Sequence, residues 1–248
     1  MAALFYKEVQ ADKSIADFVK LYWQFKNTSA EAKHYTVLPD GFFDLVIYIS
    51  NNEINNISLY GVWSKQINVV VPGFTTVLGI TFSPIAAEYV FKDTIVDIFN
   101  NSKQLNHSFF DINTLPFNDF SEFTNQFSTL ISAFTAADNR KVEIFRLLFA
   151  SSGTLSVEEL SKKAFWSSRQ INRYFQQNFG LTLKTYANIL RCSSTYTHIE
   201  EGKLSSPILY YDQSHFIKEI KKYTGSNPKE LHKNENDRFL QFSDLLKP

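Results

Sequence analysis

The sequence predicts an α+β protein with two domains, and two observations lead to this prediction. In the first half of the chain, short runs of β-branched and aromatic residues alternate with turn residues and with helical segments. From Arg140 onward, apolar residues recur at helical spacing. The charge divides at nearly the same place, because residues 1–137 contain 8 Lys and Arg against 13 Asp and Glu, and residues 138–248 contain 17 against 12. We therefore expect a small module of strands and helices, followed by an all-α domain with a different partner.

The composition is that of an ordinary soluble globular protein, with 248 residues of which 44% are hydrophobic and 20% charged. This excludes collagen, low-complexity disorder and a disulfide scaffold. Cys192 is the sole cysteine, so the chain can form neither an internal disulfide nor a cysteine-based metal site. No apolar run reaches the length of about 18 residues that a membrane helix needs. Charged residues appear within the first eight positions, so we expect no secretory signal and a cytoplasmic protein.

The clearest strand of the N-terminal half is Phe43–Ile49, followed by a turn at Asn51-Asn52. Ser14 is predicted to cap a helix that runs to Lys26, because apolar residues recur there at helical spacing. The remaining predicted elements are strands at Ile54–Tyr60, Ile67–Val71 and Thr75–Phe82, and helices at Pro84–Lys92 and Phe120–Phe134.

The C-terminal half shows the pattern of a helix-turn-helix. Ser156 and Glu159 form a capping box that predicts a short helix, Val157–Ala164. Ser167 or Ser168 caps the next helix, which runs to Phe179 and ends at Gly180. Two helices of this size joined by a short turn are typical of the motif.

The second of these helices has a repeat 45 residues further along the chain. Six positions of the first copy match in order, which favours a duplication over chance. The paired positions are Ser167 with Asp212, Ile171 with Phe216, Arg173 with Lys218, Phe175 with Ile220, Gly180 with Gly225 and Tyr186 with Leu231.

Both copies have one polar face. In the first, Arg169, Asn172, Arg173 and Gln176 share a side of the helix. Arg pairs with guanine, and Asn or Gln with adenine, through two hydrogen bonds in the major groove of DNA. In the second copy the outward residues are Ser214, Lys218, Lys221 and Lys222, with His215 near the same edge. A merely solvated face is the alternative for either helix alone, and the duplication on a basic domain favours DNA binding.

The segments SVEELSKKAFWSSRQINRYFQQNFGLTLKTYANILR and YYDQSHFIKEIKKYTGSNPKEL resemble the DNA-binding domain of the AraC-type transcriptional regulators. The resemblance implies two helix-turn-helix units joined by a linker helix, Thr182–Glu200. It also implies that the two recognition helices enter successive major-groove segments on one face of the DNA. The DNA-facing positions that it implies are Ser168, Arg169, Gln170, Asn172, Arg173, Gln213, Ser214, His215 and Lys218.

The segments VLPDGFFDLVIYI, VPGF and VLGITFSP resemble the small sensor-like domain that precedes the DNA-binding domain in one branch of this family. That resemblance implies a signal-receiving front end with an unknown small-molecule effector. Tyr48, Tyr60 and Trp63 are the candidates to line its pocket, with packing in the core as the alternative for each. A homodimer, and RNA polymerase if the protein is an activator, are further expected partners.

The second helix-turn-helix unit departs from the family pattern. Its first helix would be EGKLSSPIL, which contains Gly202 and an interior Pro207, costing about 1 and about 3 kcal/mol inside a helix. Leu209 stands where the family has a glycine. The unit is therefore expected to be incomplete, with a loop in place of its first helix. The alternative function is that of an interaction or signalling protein that keeps the fold but binds DNA weakly or not at all.

The sequence predicts no enzyme, no metal site and no cofactor. The five histidines are scattered, and no HExxH, Walker A, GxGxxG or GxSxG pattern occurs. Asp40 and Asp44 flank a glycine and an aromatic pair, a pattern more typical of a turn than of acid–base catalysis. We predict a sensor-like domain at residues 1–115, a helical connector at 116–138, the DNA-binding domain at 139–233 and a tail at 234–248.

Overall fold

The computed structural model describes residues 4–92, 98–134, 137–207 and 210–243. The chain forms two compact units. The first, called the sheet unit here, comprises residues 1–33, 42–61 and 70–138. The second, called the helical unit, comprises residues 34–41, 62–69 and 139–248. A sheet-rich N-terminal region followed by helices confirms the predicted α+β class.

A six-stranded antiparallel sheet forms the sheet unit, in the order β1-β2-β7-β4-β5-β8. A separate two-stranded sheet pairs β3 with β6. The strands are β1 (Leu4–Gln10), β2 (Val19–Asn27), β3 (Lys33–Val37), β4 (Phe43–Ser50), β5 (Glu53–Tyr60), β6 (Ile67–Val71), β7 (Thr75–Phe82) and β8 (Ser102–Leu105).

The four strands predicted between Phe43 and Phe82 are confirmed. The turn between β4 and β5 is also confirmed at Asn51-Asn52, where both residues have positive φ, 54° and 59°. Asparagine tolerates this conformation better than most residues, and two such residues in a row give a turn whose twist matches that of the flanking strands.

The helix predicted from Ser14 to Lys26 is wrong, because Val19–Asn27 is strand β2. Ser14 lies in a turn, where its backbone N–H and its hydroxyl donate to the Asp12 carboxylate at 2.8 and 2.6 Å. The register of β2 against β7 shifts between Val19 and Leu21. Such a bulge places one extra residue in the strand and interrupts the alternation of inward and outward side chains. As a result, the buried residues of this segment have the sequence spacing of an amphipathic helix.

Aromatic side chains fill the core of the sheet unit. The ring of Phe82 lies 5.3 Å from that of Phe43, 4.9 Å from that of Phe91 and 6.3 Å from that of Phe127. Phe91 ends a π-helix at Ala87–Phe91, within the helix predicted at 84–92. Phe127 belongs to α1 (Phe120–Ser132), which confirms the helix predicted there. Leu130 of α1 is exposed, although helical spacing from Phe123 and Phe127 predicts that it faces inward.

Seven α-helices lie in the described part of the helical unit, and Phe145 is at the centre of their core. Its ring lies 5.5 Å from that of Phe175, 5.7 Å from that of Phe179 and 5.9 Å from that of Tyr186. The helices are α2 (Asn139–Ala150), α3 (Val157–Ala164), α4 (Ser168–Phe179), α5 (Leu183–Ser193), α6 (Tyr196–Glu200), α7 (Gln213–Thr224) and α8 (Pro228–Lys233).

The segment predicted as one linker helix, Thr182–Glu200, is two helices, α5 and α6. Ser193, Ser194 and Thr195 lie at the break, and each hydroxyl donates to a backbone carbonyl three residues earlier. Hydroxyl side chains that bond the backbone in this way compete with the helical pattern. Residues 201–207 form no helix, as expected from Gly202 and Pro207, whereas residues 208–209 of the same predicted segment lie outside the described residues.

The helical unit also contains residues from the N-terminal half and from the predicted tail. Thr36 of β3 forms a parallel bridge to Phe239, which is buried. The Gln241 side chain accepts from the Leu38 N–H and donates to the Leu38 carbonyl, both at 3.0 Å. The predicted domain boundaries stay predictions. Across the described ranges, no helix has the length and apolar character needed to cross a membrane.

Candidate nucleic-acid interface

Helices α3 and α4 are joined by a short turn, and both begin with a capping box. The Ser156 hydroxyl accepts from the Glu159 N–H while the Glu159 carboxylate accepts from the Ser156 N–H. Helix α3 ends at Phe165, which has left-handed backbone angles (φ 51°, ψ 41°). Helix α4 ends at Gly180, also left-handed. The predicted caps therefore fix the length of both helices and the direction of the turn.

Helix α4 has one buried and one exposed face. Ile171, Tyr174, Phe175 and Phe179 are buried. The opposite face carries the predicted stripe, whose members are all exposed: Arg169, Asn172, Arg173 and Gln176.

The guanidinium groups of the α4 stripe are available to a partner. Among the described residues, neither Arg169 nor Arg173 takes part in an ion pair. Asn172 uses one amide hydrogen in a 3.0 Å bond to the Ser168 carbonyl, which holds its side chain along the helix. Each guanidinium presents five donors in a planar fork. The stripe can therefore bind phosphate oxygens or the acceptor edge of guanine.

One other position implied by the resemblance, Gln170, is engaged within the first turn of α4. The Gln170 side-chain oxygen accepts from the Ser167 N–H at 3.2 Å and from the Ser167 hydroxyl at 2.6 Å. Ser168 is half-buried. In this geometry Gln170 caps the helix.

The 45-residue repeat is visible in the backbone of the helical unit. Asp212 caps α7 as Ser167 caps α4, and Gly225 ends α7 in the left-handed conformation that Gly180 adopts. The following helix is also capped at equivalent positions, by Thr182 before α5 and by Asn227 before α8. Phe216, Ile220 and Tyr223 of α7 are buried, so this helix is firmly packed.

The outward face of α7 is cationic. Ser214, His215, Lys218 and Lys221 are exposed. Lys222 is also exposed, but its ammonium group lies 3.3 Å from the Glu219 carboxylate. Lysine ammonium groups bind phosphates as point charges, without the planar geometry that reads a base edge.

Gln213 braces the non-helical segment 201–207. Its side-chain oxygen accepts from the Ser206 N–H at 2.5 Å, and its amide nitrogen donates to the Leu204 carbonyl at 2.9 Å. Tyr210 adds a ring contact with Phe216, at 5.2 Å between centroids. These contacts hold α7 at its N-terminal end, where the sequence suggests too little support.

Three exposed apolar side chains lie beside or within these polar faces, and the sequence analysis missed them. Phe165 precedes the α4 cap and is 89% exposed, and Tyr211 precedes the α7 cap and is 94% exposed. Ile217 occupies the position in α7 that Asn172 occupies in α4, and is 37% exposed. An isoleucine at the i+3 position of a polar stripe is the sequence signal that identifies it.

In the sheet unit, the structure brings Tyr48 and Tyr60 together, with 3.4 Å between their hydroxyl oxygens. Burial, together with this hydrogen bond, raises the pKa of the Tyr48 phenol above its usual range. Asn56 lies opposite Tyr48 in the β4–β5 register, and its side-chain oxygen is buried without a hydrogen-bond partner in the described part of the chain. Trp63, the third predicted residue, belongs to the helical unit.

Asp44, which lies in strand β4, is on the same face of the sheet. The Asp44 carboxylate accepts from the Thr81 hydroxyl at 2.5 Å and from Trp23 Nε1 at 3.4 Å. The Trp23 indole lies across the backbone at Gly79, where a Cβ would come within 1.8 Å of the ring. The absence of a side chain at Gly79 therefore allows the Trp23 ring to lie in this position.

Comparison with known proteins gives weak matches. The family model described as "Domain of unknown function (DUF6597)" matches residues 7–103, which is less than half of the chain. No curated protein sequence matches. The structure is similar to that of ToxT from Vibrio cholerae O395 bound to (E)-4-(8-methylnaphthalen-1-yl)but-3-enoic acid, with a TM-score of 0.42 and 14% identity over 92% of this chain and 96% of that chain. It is also similar to unsaturated fatty acid bound wild-type ToxT from Vibrio cholerae strain SCE256, with a TM-score of 0.42 and 12% identity over 92% and 93%. Similarity at this level fixes neither a function nor a ligand.

Groups that could hold a metal or act as a nucleophile are scattered. No three His, Cys, Asp or Glu residues converge on a possible metal site within the described ranges. Cys192 is buried, and burial raises the pKa of its thiol to about 12. The thiol therefore stays protonated at neutral pH and is a poor nucleophile.

Proposed function

We propose that the protein is a sequence-specific DNA-binding transcriptional regulator of the AraC type. The observation that supports the proposal best is the repeated surface of the helical unit. Helices α4 and α7 have equivalent caps and equal length, and three of the four buried positions of α4 are also buried in α7. Both helices direct polar side chains outward. A helix with Arg169, Asn172 and Arg173 exposed and free of ion pairs suits the major groove.

The two helices would make different kinds of contact with DNA. Helix α4 carries guanidinium and amide groups, which read base edges through paired hydrogen bonds. Helix α7 carries Lys218 and Lys221, which neutralise phosphates and set the position of the protein on the duplex. The proposed base-reading positions are therefore Arg169, Asn172 and Arg173, and Ser214, His215 and Lys218 remain DNA-facing positions of α7. Gln170 and Gln213 act by holding the helices in place.

The test begins with selection of duplexes from a random DNA library by the full chain. Affinity for a selected duplex and for a scrambled duplex is then measured at several salt concentrations. A regulator prefers the selected duplex by roughly a thousandfold or more, and its affinity falls steeply with salt because bound phosphates release counterions. A protein that selects no sequence and binds no duplex contradicts the proposal.

The residue-level test is Arg173→Ala. Loss of a guanidinium that contacts a base costs about 1–3 kcal/mol of binding free energy and relaxes specificity at that base. The matched control is Lys13→Ala, which removes one exposed cation from the sheet unit and leaves the helical unit unaltered. Equal affinities of Arg173→Ala and wild type would show that this face of α4 does not contact DNA.

The second candidate is an interaction or signalling protein that keeps the fold without specific DNA binding. The non-helical segment 201–207 favours it, since within the described residues this segment does not form the first helix that the motif requires. The engagement of Gln213 favours it as well, because this amide is occupied within the chain. The salt series separates the two candidates, because an interaction protein shows no preference between the selected and scrambled duplexes.

The sheet unit is proposed to bind the small-molecule effector at the face shared by Tyr48, Tyr60 and Asn56. The two phenol groups meet there, and the buried amide oxygen of Asn56, opposite Tyr48 in the strand register, has no hydrogen-bond partner among the described residues. Such groups can orient a polar ligand. The chain passes between the two units at residues 33/34, 41/42, 61/62, 69/70 and 138/139, so a change in the sheet unit has covalent routes to the helical unit. Dimerisation and contact with RNA polymerase stay predictions.

The effector proposal is tested by screening small polar compounds for a rise in melting temperature of the full chain. A ligand that binds the folded state raises the melting temperature, by an amount that grows with the logarithm of its concentration divided by its Kd. Tyr48→Phe and Tyr60→Phe are expected to weaken the effect of a compound bound at this face. Tyr211→Phe is the matched control, because its hydroxyl is exposed and lies in the other unit. An unchanged response of both sheet-unit variants contradicts this site.

A further inference from the structure

The exposed stripes of α4 and α7 occupy equivalent positions but differ in chemistry. Each stripe consists of the residues at i, i+3, i+4 and i+7 of its helix, 45 residues apart in the two copies. The first stripe is Arg169, Asn172, Arg173 and Gln176, and the second is Ser214, Ile217, Lys218 and Lys221. Every member of the first stripe carries a guanidinium or an amide, and no member of the second does.

The hydrogen-bonding capacity of α7 toward bases is further reduced by Gln213. Both polar groups of its amide are occupied, by the Ser206 N–H and by the Leu204 carbonyl. Lysine and serine lack the fixed pair of groups that distinguishes one base pair from another. The second stripe therefore needs another means of reading sequence if it is to read sequence at all.

Ile217 provides that means. Its neighbours Phe216 and Ile220 point into the core and are fully buried, whereas Ile217 lies on the outward face and is 37% exposed. Lys218 follows it directly, and Lys221 lies one turn further along the helix. An apolar side chain flanked by unburied cations suits a surface that is negatively charged and presents apolar groups. The major groove of DNA is such a surface, because thymine alone among the four bases presents a methyl group there.

We infer that Ile217 contacts the 5-methyl group of thymine, so that α7 recognises a thymine-containing half-site by apolar contact. Helix α4 reads the other half-site by hydrogen bonds. This inference rests on the proposed function, which it deepens by stating the base and the chemical group that the second helix selects. The expected DNA site is asymmetric, with purine contacts in one half and thymine methyl contacts in the other.

The experiment replaces single thymines by deoxyuridine in a duplex that the full chain selects from a random library. Deoxyuridine keeps the base pair and removes only the methyl group. Loss of one buried methyl group costs about fourfold in affinity. We expect the wild-type chain to lose about fourfold at one or two thymines within one half of the site, and nothing elsewhere.

The matched variants are Ile217→Ser, Ile217→Val and Lys218→Ala. Ile217→Ser is expected to bind the thymine duplex about as weakly as wild type binds the deoxyuridine duplex, and to be insensitive to the replacement. Ile217→Val keeps an apolar contact and is expected to stay sensitive. Ile217→Ser leaves the salt dependence unchanged, whereas Lys218→Ala lowers its slope by about one. Urea denaturation of each variant confirms that it is folded.

The outcomes separate the inference from the proposed function. A wild-type chain that binds no duplex overturns both. A wild-type chain that binds a selected duplex but tolerates deoxyuridine at every thymine supports the proposed function and overturns the inference. The inference is also overturned if Ile217→Ser retains the full penalty for the missing methyl group, because another residue then makes the contact.

Discussion

The hydroxyl of Tyr186 donates to the carbonyl of Gly41 at 2.9 Å, across 145 residues of sequence. The phenol is fully buried, and burial raises its pKa well above its usual value. A second bond of the same kind joins the Tyr196 hydroxyl to the Pro39 carbonyl at 2.8 Å. Helices α5 and α6 therefore satisfy the buried carbonyls of a segment that the N-terminal half of the chain supplies. That segment is part of the structure that supports the candidate interface.

Tyr186→Phe is expected to lower the free energy of unfolding by about 1–3 kcal/mol. The substitution keeps the ring but leaves the buried Gly41 carbonyl without a donor. A buried acceptor without a hydrogen bond is strongly destabilising. Urea denaturation measures the change. Tyr211→Phe is the matched control, because it removes a hydroxyl that is exposed to water, and its free energy of unfolding is expected to stay within about 0.5 kcal/mol of wild type. Equal stabilities of the two variants would show that the Tyr186 bond contributes nothing.

Gly41→Ala is expected to destabilise the protein more than Gly202→Ala. Both glycines have positive φ, 87° and 77°, so both substitutions introduce the same kind of backbone strain, about 1 kcal/mol. A Cβ on Gly41 would also come within 2.6 Å of Leu190 Cδ2, whereas on Gly202 the nearest atom, His232 Cε1, is 3.3 Å away. The difference between the two unfolding free energies isolates this contact. Leu190→Ala is itself destabilising because Leu190 is buried, so both glycine substitutions are repeated in the Leu190→Ala background. There Gly41→Ala is expected to cost no more than Gly202→Ala, and a larger cost contradicts the steric explanation.

The features that the sequence predicts well are those that depend on neighbouring residues. The capping boxes at Ser156 and Ser167 and the left-handed glycines at Gly180 and Gly225 act within one helical turn, so their residue types are enough to place them. The stripe at Arg169, Asn172, Arg173 and Gln176 follows from helical period alone. The four strands between Phe43 and Phe82 follow from β-branched runs and turn residues.

The features that the sequence does not predict depend on distant partners. Strand β2 is held by hydrogen bonds to β1 and β7, and a bulge hides its alternation. Residues 34–41 belong to the helical unit because their backbone groups form hydrogen bonds with the side chains of Tyr186, Tyr196 and Gln241. The roles of Gln170 and Gln213 depend on whether the amide side chain bonds within the protein or extends into solvent. Residue type alone does not determine this.

A fragment containing only residues 139–248 is expected to be less stable than the full chain. It lacks the Gly41 and Pro39 carbonyls that Tyr186 and Tyr196 bond. It also lacks the Gln66 N–H, which donates to the Tyr223 carbonyl at 3.2 Å. Removing the segment exposes both hydroxyls to water, so each lost hydrogen bond costs about 0.5–1.5 kcal/mol.

The matched comparison for this fragment is a mixture with a peptide spanning residues 34–69, which restores those groups in trans. Circular dichroism during urea denaturation measures both samples. The peptide is expected to raise the midpoint of the fragment, because it binds the folded state. A fragment whose midpoint equals that of the helical unit in the full chain would show that the N-terminal segments are dispensable.

Phe165→Gly is expected to raise the free energy of unfolding by about 0.5–1 kcal/mol. Phe165 has left-handed backbone angles, which an L-residue with a side chain adopts at a cost of about 1–2 kcal/mol, and its exposed ring contributes few packing contacts. Phe74→Gly is the matched control, since Phe74 has φ 52° and is 67% exposed. In urea denaturation, the free energy of unfolding is expected to rise by a similar amount in both variants. A loss of stability in Phe165→Gly alone would show that its ring packs against the chain.

Cys192 is expected to make the protein less stable as the pH rises above 9. Burial raises the pKa of its thiol from 9.0 to about 12 in the folded state. Between these values the unfolded chain releases the thiol proton and the folded chain retains it, so the unfolded state binds fewer protons and the free energy of unfolding falls with rising pH. Below pH 9 both states keep the proton, and the contribution to stability is fully present. Urea denaturation in reducing buffer from pH 8 to pH 11 measures the effect. Cys192→Ala is the control, because the remaining loss in that variant comes from other groups such as Tyr186 and Tyr196. If the free energy of unfolding falls with pH in the same way for wild type and Cys192→Ala, the thiol titrates equally in the folded and unfolded states.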